Sequence, residues 1–259
     1  MRIATWNVNS LRVRLPHVLD WLASARPDVI GLQETKLTDA DFPADAIREA
    51  GYASVHAGQK TYNGVGVLAL ESPMDVVTGL PGYDDPQKRL LAVTVGGVRV
   101  VNVYIPNGQE VGSEKYAYKL DWLQRLVAFI GEEMQRHPRL ALVGDFNIAP
   151  ADEDVHDPEA WAGKVLCSEP ERDAFRALAG LGLVDCFRLF PQEPGRFSWW
   201  DYRAAGFRRN HGLRIDLVLA SAPLARACTA CVIDLEPRRR ERPSDHAPVY
   251  AEFDLAVAD

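Results

Sequence analysis

Leu140–Pro150, LALVGDFNIAP, is a short apolar run that stops at Gly144 and at once presents Asp145, Phe146 and Asn147. Consecutive apolar residues bounded by turn signals read as a buried strand, which leaves Asp145 and Asn147 at its mouth. Asp and Asn are depleted in strands, and burying an unpaired carboxylate is costly, so the pair needs a metal, a water or a cationic group beside it. Gly-Asp-x-Asn is also ordinary turn chemistry. What turns this stretch from a turn into a site is that the same construction recurs along the chain.

Arg2–Val8, RIATWNV, alternates apolar and polar residues as a strand does and ends in Asn7, Asn9 and Ser10. Pro27–Leu32, PDVIGL, is a second strand, followed by Gln33, Glu34 and Thr35. Val98–Ile105, VRVVNVYI, ends in Tyr104, Pro106, Asn107 and Gly108, and Asn63–Leu70, NGVGVLAL, is a further strand. Leu213–Ala220, LRIDLVLA, reads as a strand with Asp216 on the face opposite Ile215, Leu217 and Leu219. An acid there needs a protonated partner. Arg242–Val249, RPSDHAPV, supplies one in His246, next to Asp245 and just before a final strand through Phe253. A buried Asp on one imidazole nitrogen fixes the tautomer, favours the protonated ring and leaves the other nitrogen for a substrate.

Between the strands lie helical patterns. The first, after Ser10, has Pro16 suited to its first turn and Val18, Leu19 and Leu22 on one face. Thr38–Ala50 reads as a helix capped by Thr38 or Asp39 and closed by Gly51. In Ser113–His137, Tyr116, Leu120, Leu123, Val127, Ile130 and Met134 form a stripe of core residues. Ser168 with Glu171 is a capping-box signature for a helix that buries Phe175 and Leu178 and stops near Gly180. Strand and helix alternate without a linker or repeat, which predicts an α/β chain of mixed sheets sandwiched by outer helices, in one domain over 1–259.

Composition excludes several classes. Hydrophobic content of 47% with 25% charged residues is the ordinary globular balance. The formal net charge of −7 argues mildly against a polyanionic partner. Charge is nonetheless segregated: Trp199–Arg214 holds Arg203, Arg208, Arg209 and Arg214 against Asp201 alone, while Asp152–Glu159 holds five carboxylates and no Lys or Arg. Trp199, Trp200 and Tyr202 interleave with those arginines, which suits a base or sugar against a phosphate backbone, or else a Trp-rich core corner with solvated arginines. The four cysteines show no paired framework, and the lone Cys228/Cys231 pair has no histidines at zinc-ligand spacing. With no signal peptide and no apolar run long enough for a membrane span, a reduced cytoplasmic setting and no membrane partner are expected.

Five strands or strand ends thus deliver Asn7, Glu34, Tyr104, Asp145 with Asn147, and Asp216 opposite His246. Carboxylates and amides without cysteine are hard oxygen donors that suit magnesium, or manganese, over zinc. A hard cation, acids and a histidine together point to phosphoryl chemistry, where charge on phosphate oxygens is neutralised while water is activated.

The motifs TWNVNSLR, LQETK, YIPNG, GDFNIAP, SWWDYR, GLRIDLVL and PSDHAPV resemble those of the exonuclease III family of abasic-site endonucleases, in the endonuclease/exonuclease/phosphatase superfamily. The resemblance spans Trp6 to Phe253 in the family's order; SWWDYR followed by GLRID narrows it to the DNA-repair branch. It implies a DNase I-like four-layer α/β/β/α sandwich of two packed mixed sheets. It also implies that Glu34 binds a divalent metal with Asn7 beside it, that Asp145 orients or deprotonates the attacking water, and that Asn147 and Tyr104 hold the phosphate. His246, oriented by Asp216, would polarise a phosphate oxygen; Asp245 would be a further acid at the metal side, and Asn107 would lie near the phosphate. Trp199, Leu213 and Ile215 would line the pocket for a flipped-out abasic sugar, with Tyr202, Arg203, Arg208 and Arg209 on the DNA face. Some relatives carry Asp where Asn9 stands here, so any metal contact at that position is neutral.

The implied chemistry is in-line attack of water on the phosphodiester 5′ to an abasic site, leaving a 3′-hydroxyl, with 3′-to-5′ exonuclease and 3′-end-cleaning activity. The expected partner is double-stranded DNA with abasic sites or blocked 3′ ends, bound by a monomer. A phosphodiesterase of the same superfamily acting on another phosphoester would keep the acids and His246 without needing the Trp/Arg surface. A non-catalytic nucleic-acid binder would show gaps in the catalytic set, and there are none.

Overall fold

The computed structural model describes residues 1–257. In chain order its strands are β1 (Arg2–Asn7), β2 (Val29–Gln33), β3 (Ala53–Ala57), β4 (Val65–Ala69), β5 (Met74–Thr78), β6 (Leu90–Val95), β7 (Val98–Tyr104), β8 (Leu140–Asp145), β9 (Leu183–Asp185), β10 (Trp199–Trp200), β11 (Gly212–Leu213), β12 (Asp216–Ser221), β13 (Cys228–Ile233) and β14 (Val249–Phe253). The helices are α1 (Leu11–Ala25), α2 (Ala44–Glu49), α3 (Glu114–Arg136), α4 (Pro158–Trp161), α5 (Glu169–Gly180), α6 (Gly206–Arg209) and α7 (Ala222–Ala225). The strands form two six-stranded sheets, ordered β13-β14-β1-β2-β4-β3 and β5-β6-β7-β8-β12-β9, while β10 and β11 pair as a separate ribbon.

The period-two alternation of each strand sorts its side chains between layers. Ile3, Val29, Val67, Val100, Val143 and Val218 fill the space between the sheets. Their neighbours Ala4, Trp6, Ile30 and Leu32 point the other way and pack under Val18, Trp21 and Leu22 of α1. Val101, Val103, Leu142, Leu217 and Leu219 likewise pack under Trp122, Leu123 and Leu126 of α3 and Leu178 of α5. The layers therefore run helix, sheet, sheet, helix, the four-layer sandwich expected from the motifs.

Followed to one end, the same inner-face register turns polar: it carries Asn7 in β1, Gln33 in β2, Asn102 and Tyr104 in β7, Asp145 in β8 and Asp216 in β12. Gln33 Nε2 donates to Thr5 Oγ1 at 2.8 Å and to Asn102 Oδ1 at 2.6 Å, and Asn102 Nδ2 donates to the carbonyls of Leu32 and Gly66 at 3.0 and 2.9 Å. The bonds made by Asn102 join the two sheets directly beneath the polar end. Gly31 makes the approach possible, because a Cβ there would lie 2.6 Å from Asn102 Cγ.

Several local expectations change. Pro16 sits in the interior of α1, not its first turn. It is tolerated because it and Arg12, whose carbonyl loses its helical partner, both lie on the solvent side. Thr38–Ala50 splits into a short 3-10 turn at Asp39–Asp41 and α2, parted at Phe42 and Pro43. The long helix keeps its bounds, with Ser113 Oγ capping the Tyr116 N–H, but Leu120, Val127 and Met134 are only half-buried. Its buried face instead includes Lys119 and Glu133, neutralised by Glu171 and Arg99. The run Leu213–Ala220 breaks between β11 and β12, so Leu213 pairs with Trp199 while Asp216 opens a new strand beside Asp145. Among the described residues no helix is long and apolar enough to cross a membrane.

Candidate active site

Tyr104 and Asp145 are register partners on parallel β7 and β8, and Asp145 faces Asp216 across antiparallel β8 and β12. Gly144 allows the crowding behind Asp145, since a Cβ there would meet the Val103 carbonyl oxygen at 2.0 Å. Asn7 ends β1 in register with Gln33. Glu34 follows β2 in the left-handed region, at φ 50°, and Asn147 turns the same way at φ 48°. Non-glycine residues held there mark positions that their surroundings over-determine.

These groups form one hydrogen-bonded array. Asn7 Nδ2 donates to Glu34 Oε1 at 2.9 Å and to Asp145 Oδ2 at 2.8 Å, while Asn7 Oδ1 accepts from the Asn9 N–H at 2.9 Å. Asn7 thus presents its NH2, not its oxygen, to the acids expected to share a cation with it. His246 Nδ1 lies 2.9 Å from Asp216 Oδ2, and its Nε2 is 3.8 Å from Asp145 Oδ2. Lys36 Nζ is 3.0 Å from Glu34 Oε2 and donates to Asn9 Oδ1 at 2.5 Å.

Burial and charge set the protonation states. Burial raises the Asp145 carboxyl, and neighbouring Asp216 adds to it; His246 and Asn7 oppose, leaving it at about 7. For His246, burial alone disfavours the charged ring, but the carboxylates of Asp216 and Asp145 overturn this and lift it to about 10. Its Nε2 is therefore a donor at neutral pH. Burial pushes up Glu34, yet Lys36 and the Asn7 hydrogen bond outweigh it and hold the carboxyl below its ordinary value. Burial, with the negative charges of Glu34 and Asp145, drives Tyr104 well above its ordinary value, so its hydroxyl stays protonated.

Asp145, Asp216 and His246 place one ligand atom each within 4.8 Å of one another. An imidazolium engaged by Asp216 repels a cation, so the donor chemistry fits a hard divalent ion on the Glu34 side, away from the ring.

The remaining predicted residues divide. Asn147 Nδ2 donates to the Ile105 carbonyl at 3.0 Å, and its Oδ1 accepts from Asn107 Nδ2 at 3.1 Å, so the two amides act as a pair. Asp245 stands apart from the acid cluster, with its oxygens taken by Asn9 Nδ2 at 2.9 Å and Trp199 Nε1 at 3.0 Å. Trp199, half-buried, packs with Leu213 and Ile215 in one apolar cluster, but Leu213 and Ile215 are 0% and 1% exposed, covered in part by Leu166 and Cys167. Tyr202 Oη donates to the Pro243 carbonyl at 2.7 Å and accepts from Arg14 at 3.1 Å. The arginine cluster also splits: Arg208 and Arg209 are exposed, Arg203 is chelated by Asp201, and Arg214 is buried between Asp154 and Asp185. Sequence periodicity also passed over Lys36 and Lys119; only the charge beside Glu34 in LQETK offered a signal for the first.

The sequence profile of the Endonuclease/Exonuclease/phosphatase family matches residues 4–246. The chain belongs to this family. Within the family it falls with the exonuclease III type, and it is a hydrolase of the nuclease kind. Exodeoxyribonuclease III of Haemophilus influenzae is 38% identical over 98% of this chain and 100% of its own length. Among solved structures, a 3′ phosphatase from Neisseria bound to a product DNA hairpin superposes with a TM-score of 0.97 at 52% identity, covering 98% of this chain and 99% of that one. An AP endonuclease from Archaeoglobus fulgidus gives a TM-score of 0.94 at 40% identity, over 98% and 99% of the two chains.

Proposed function

We propose that the protein, as one catalytic unit, is a DNA-repair phosphodiesterase that hydrolyses the backbone 5′ to abasic sites and leaves a 3′-hydroxyl. The observation that carries this is the meeting of Glu34, Tyr104, Asp145, Asn147, Asp216 and His246 at one polar end of the inter-sheet layer, beside the Trp199 cluster. Magnesium, or manganese in its place, would supply a counter-charge for phosphate oxygens, held by Glu34 with Asn7 beside it and Asp245 one step further out.

Asp145, with its carboxyl near neutrality, is suited to orient and deprotonate the attacking water. His246 donates from Nε2 to a non-bridging phosphate oxygen, with Asp216 locking its orientation and charge. Tyr104 and the Asn107–Asn147 amide pair hold the phosphate as its charge develops. Trp199 stacks on the sugar, and Tyr202, Arg208 and Arg209 follow the DNA backbone; Arg203 contributes less because Asp201 engages it.

A second reading, removal of blocked 3′ ends, is favoured by the covering of Leu213 and Ile215, which leaves little open apolar pocket for an extruded sugar. One experiment separates the two. A labelled duplex with a single abasic analogue, and a matched duplex with a 3′-phosphate, are incubated with magnesium or with chelator and their product ends mapped. Magnesium-dependent cleavage 5′ to the abasic position supports the first reading. Processing of the 3′-phosphate alone supports the second, and turnover of neither removes both.

A further inference from the structure

Lys119 is buried on the inner face of α3, in the outer helix layer that covers the second sheet, where a lysine has no solvent to hold its charge. Its ammonium has three donors, and each has a partner. It donates to the Asn147 carbonyl at 2.6 Å, to the Asn107 carbonyl at 3.1 Å, and to Glu171 Oε1 in an ion pair. The first two partners are the backbones of the residues whose side-chain amides bond to each other at the mouth. The Glu171 carboxylate is itself saturated, accepting from the Leu166 N–H at 3.0 Å, the Ser168 N–H at 3.0 Å and Ser168 Oγ.

A charge pair this deep gives little net stability over an apolar replacement of similar volume. Its geometry has a different consequence. Asn107 follows β7 and Asn147 follows β8, on separate loops, and Asn147 is held in the left-handed region. No element of regular structure ties those two peptide planes together. Lys119 does so with one rigidly held ammonium, and the Gly108 backbone packs on its stem, where a Cβ would lie 3.0 Å from Lys119 Cδ. We propose that Lys119, braced by Glu171, is a positioning residue that sets the Asn107 and Asn147 amides for the phosphate.

This inference rests on the proposed phosphodiesterase reading, so its test carries a readout that does not need turnover. The full-length Lys119→Met/Glu171→Gln variant removes the charge pair without stranding a carboxylate. It is compared with the parent by thermal melting, by steady-state cleavage of the abasic and 3′-phosphate duplexes, and by the side-chain amide NMR signals of Asn107 and Asn147. The expected result is a displaced pair of amide signals and a kcat lowered by about 10²-fold with KM nearly unchanged, the loss typical of a group misplaced by about 1 Å. Introducing Asn147→Ala into that background should then cost much less than it does in the parent. Parent kcat and unmoved amide signals in a folded double variant overturn the proposal, even if its melting temperature falls. If the double variant does not fold, Lys119→Arg decides: it keeps the charge and the Glu171 pair but redirects the donors, and parent kcat with parent amide signals rejects the positioning role. A parent that cleaves neither duplex would sink the phosphodiesterase reading alone, and the amide signals would still decide the clamp.

Discussion

Asp145 and Asp216 extend the inner-face register of β8 and β12 from an apolar body into a polar mouth, whereas Trp199–Arg214 is a chain of short pieces with left-handed turns at Ala204, Ala205 and Asn210. In the first region, a side chain's direction follows from counting by two along a strand. In the second, direction is set by whichever surroundings win: the nearby Asp201 for Arg203, the distant Asp154 and Asp185 for Arg214, solvent for Arg208 and Arg209. In the proposed mechanism Asn7, Tyr104, Asp145 and Asp216 are placed by strands and the other site residues lie in loops next to strand ends, whereas the proposed DNA contacts sit on the pieces.

The sharpest break of that comparison is Asp145→Asn. Cleavage should fall by about 10²–10⁴-fold, the range for a lost general base, while the melting temperature stays level or rises because a desolvated carboxyl is gone. A variant that melts early yet cuts normally would make the mouth no different from the body. The converse probe is Leu142→Ala, three residues back and on the outer face of the same strand. It should cost about 2–5 kcal/mol of stability by urea unfolding and leave the kcat per folded molecule unchanged.

A third test concerns the charge state that the mouth enforces. His246 titrates at about 10, above its ordinary value of roughly 6.5. A raised imidazole stabilises the fold fully below the ordinary value, and that contribution fades as pH rises through the raised one. Metal-free Asp216→Asn should therefore lose stability relative to the parent below neutrality and converge on it toward pH ~10; a constant gap would show that Asp216 and His246 are not linked by protonation. The smallest effect belongs to the pieces. Replacing Arg208 and Arg209 with Ala should flatten the dependence of log affinity for duplex on log salt by about 0.9 per lost phosphate contact. Arg203→Ala should change the slope less, and equal changes would remove the distinction drawn from Asp201.

Much of this was legible beforehand for a definite reason. RIATWN reads as a strand from its alternation, VRVVNVY and LALVGD from apolar runs, and each carries a polar residue at its end, so the strands and the polar groups at the mouth could be read together. Lys119 was not legible, because a lysine within an amphipathic helix reads as surface until the partner beneath it is known. The resemblance places Leu213 and Ile215 with Trp199, and the three share one apolar cluster; what the sequence does not show is that Leu166 and Cys167, from a loop distant in the chain, pack against them. For Asp245, which the resemblance places on the metal side, the sequence does not show that its two oxygens accept from Asn9 and Trp199.

The sequence by itself determined the alternation that sorts apolar side chains into three buried layers, and the polar residues that close one end of the middle layer, because both are local consequences of a two-residue period. Only the tertiary structure decided which polar atom faces which: that Asn7 turns its NH2 to Glu34 and Asp145, that Asp216 claims Nδ1 of His246, and that a buried ammonium holds two loops at once. Hydrogen bonds and ion pairs in a low-dielectric interior depend on distances between segments far apart in the chain, and no local period encodes those distances.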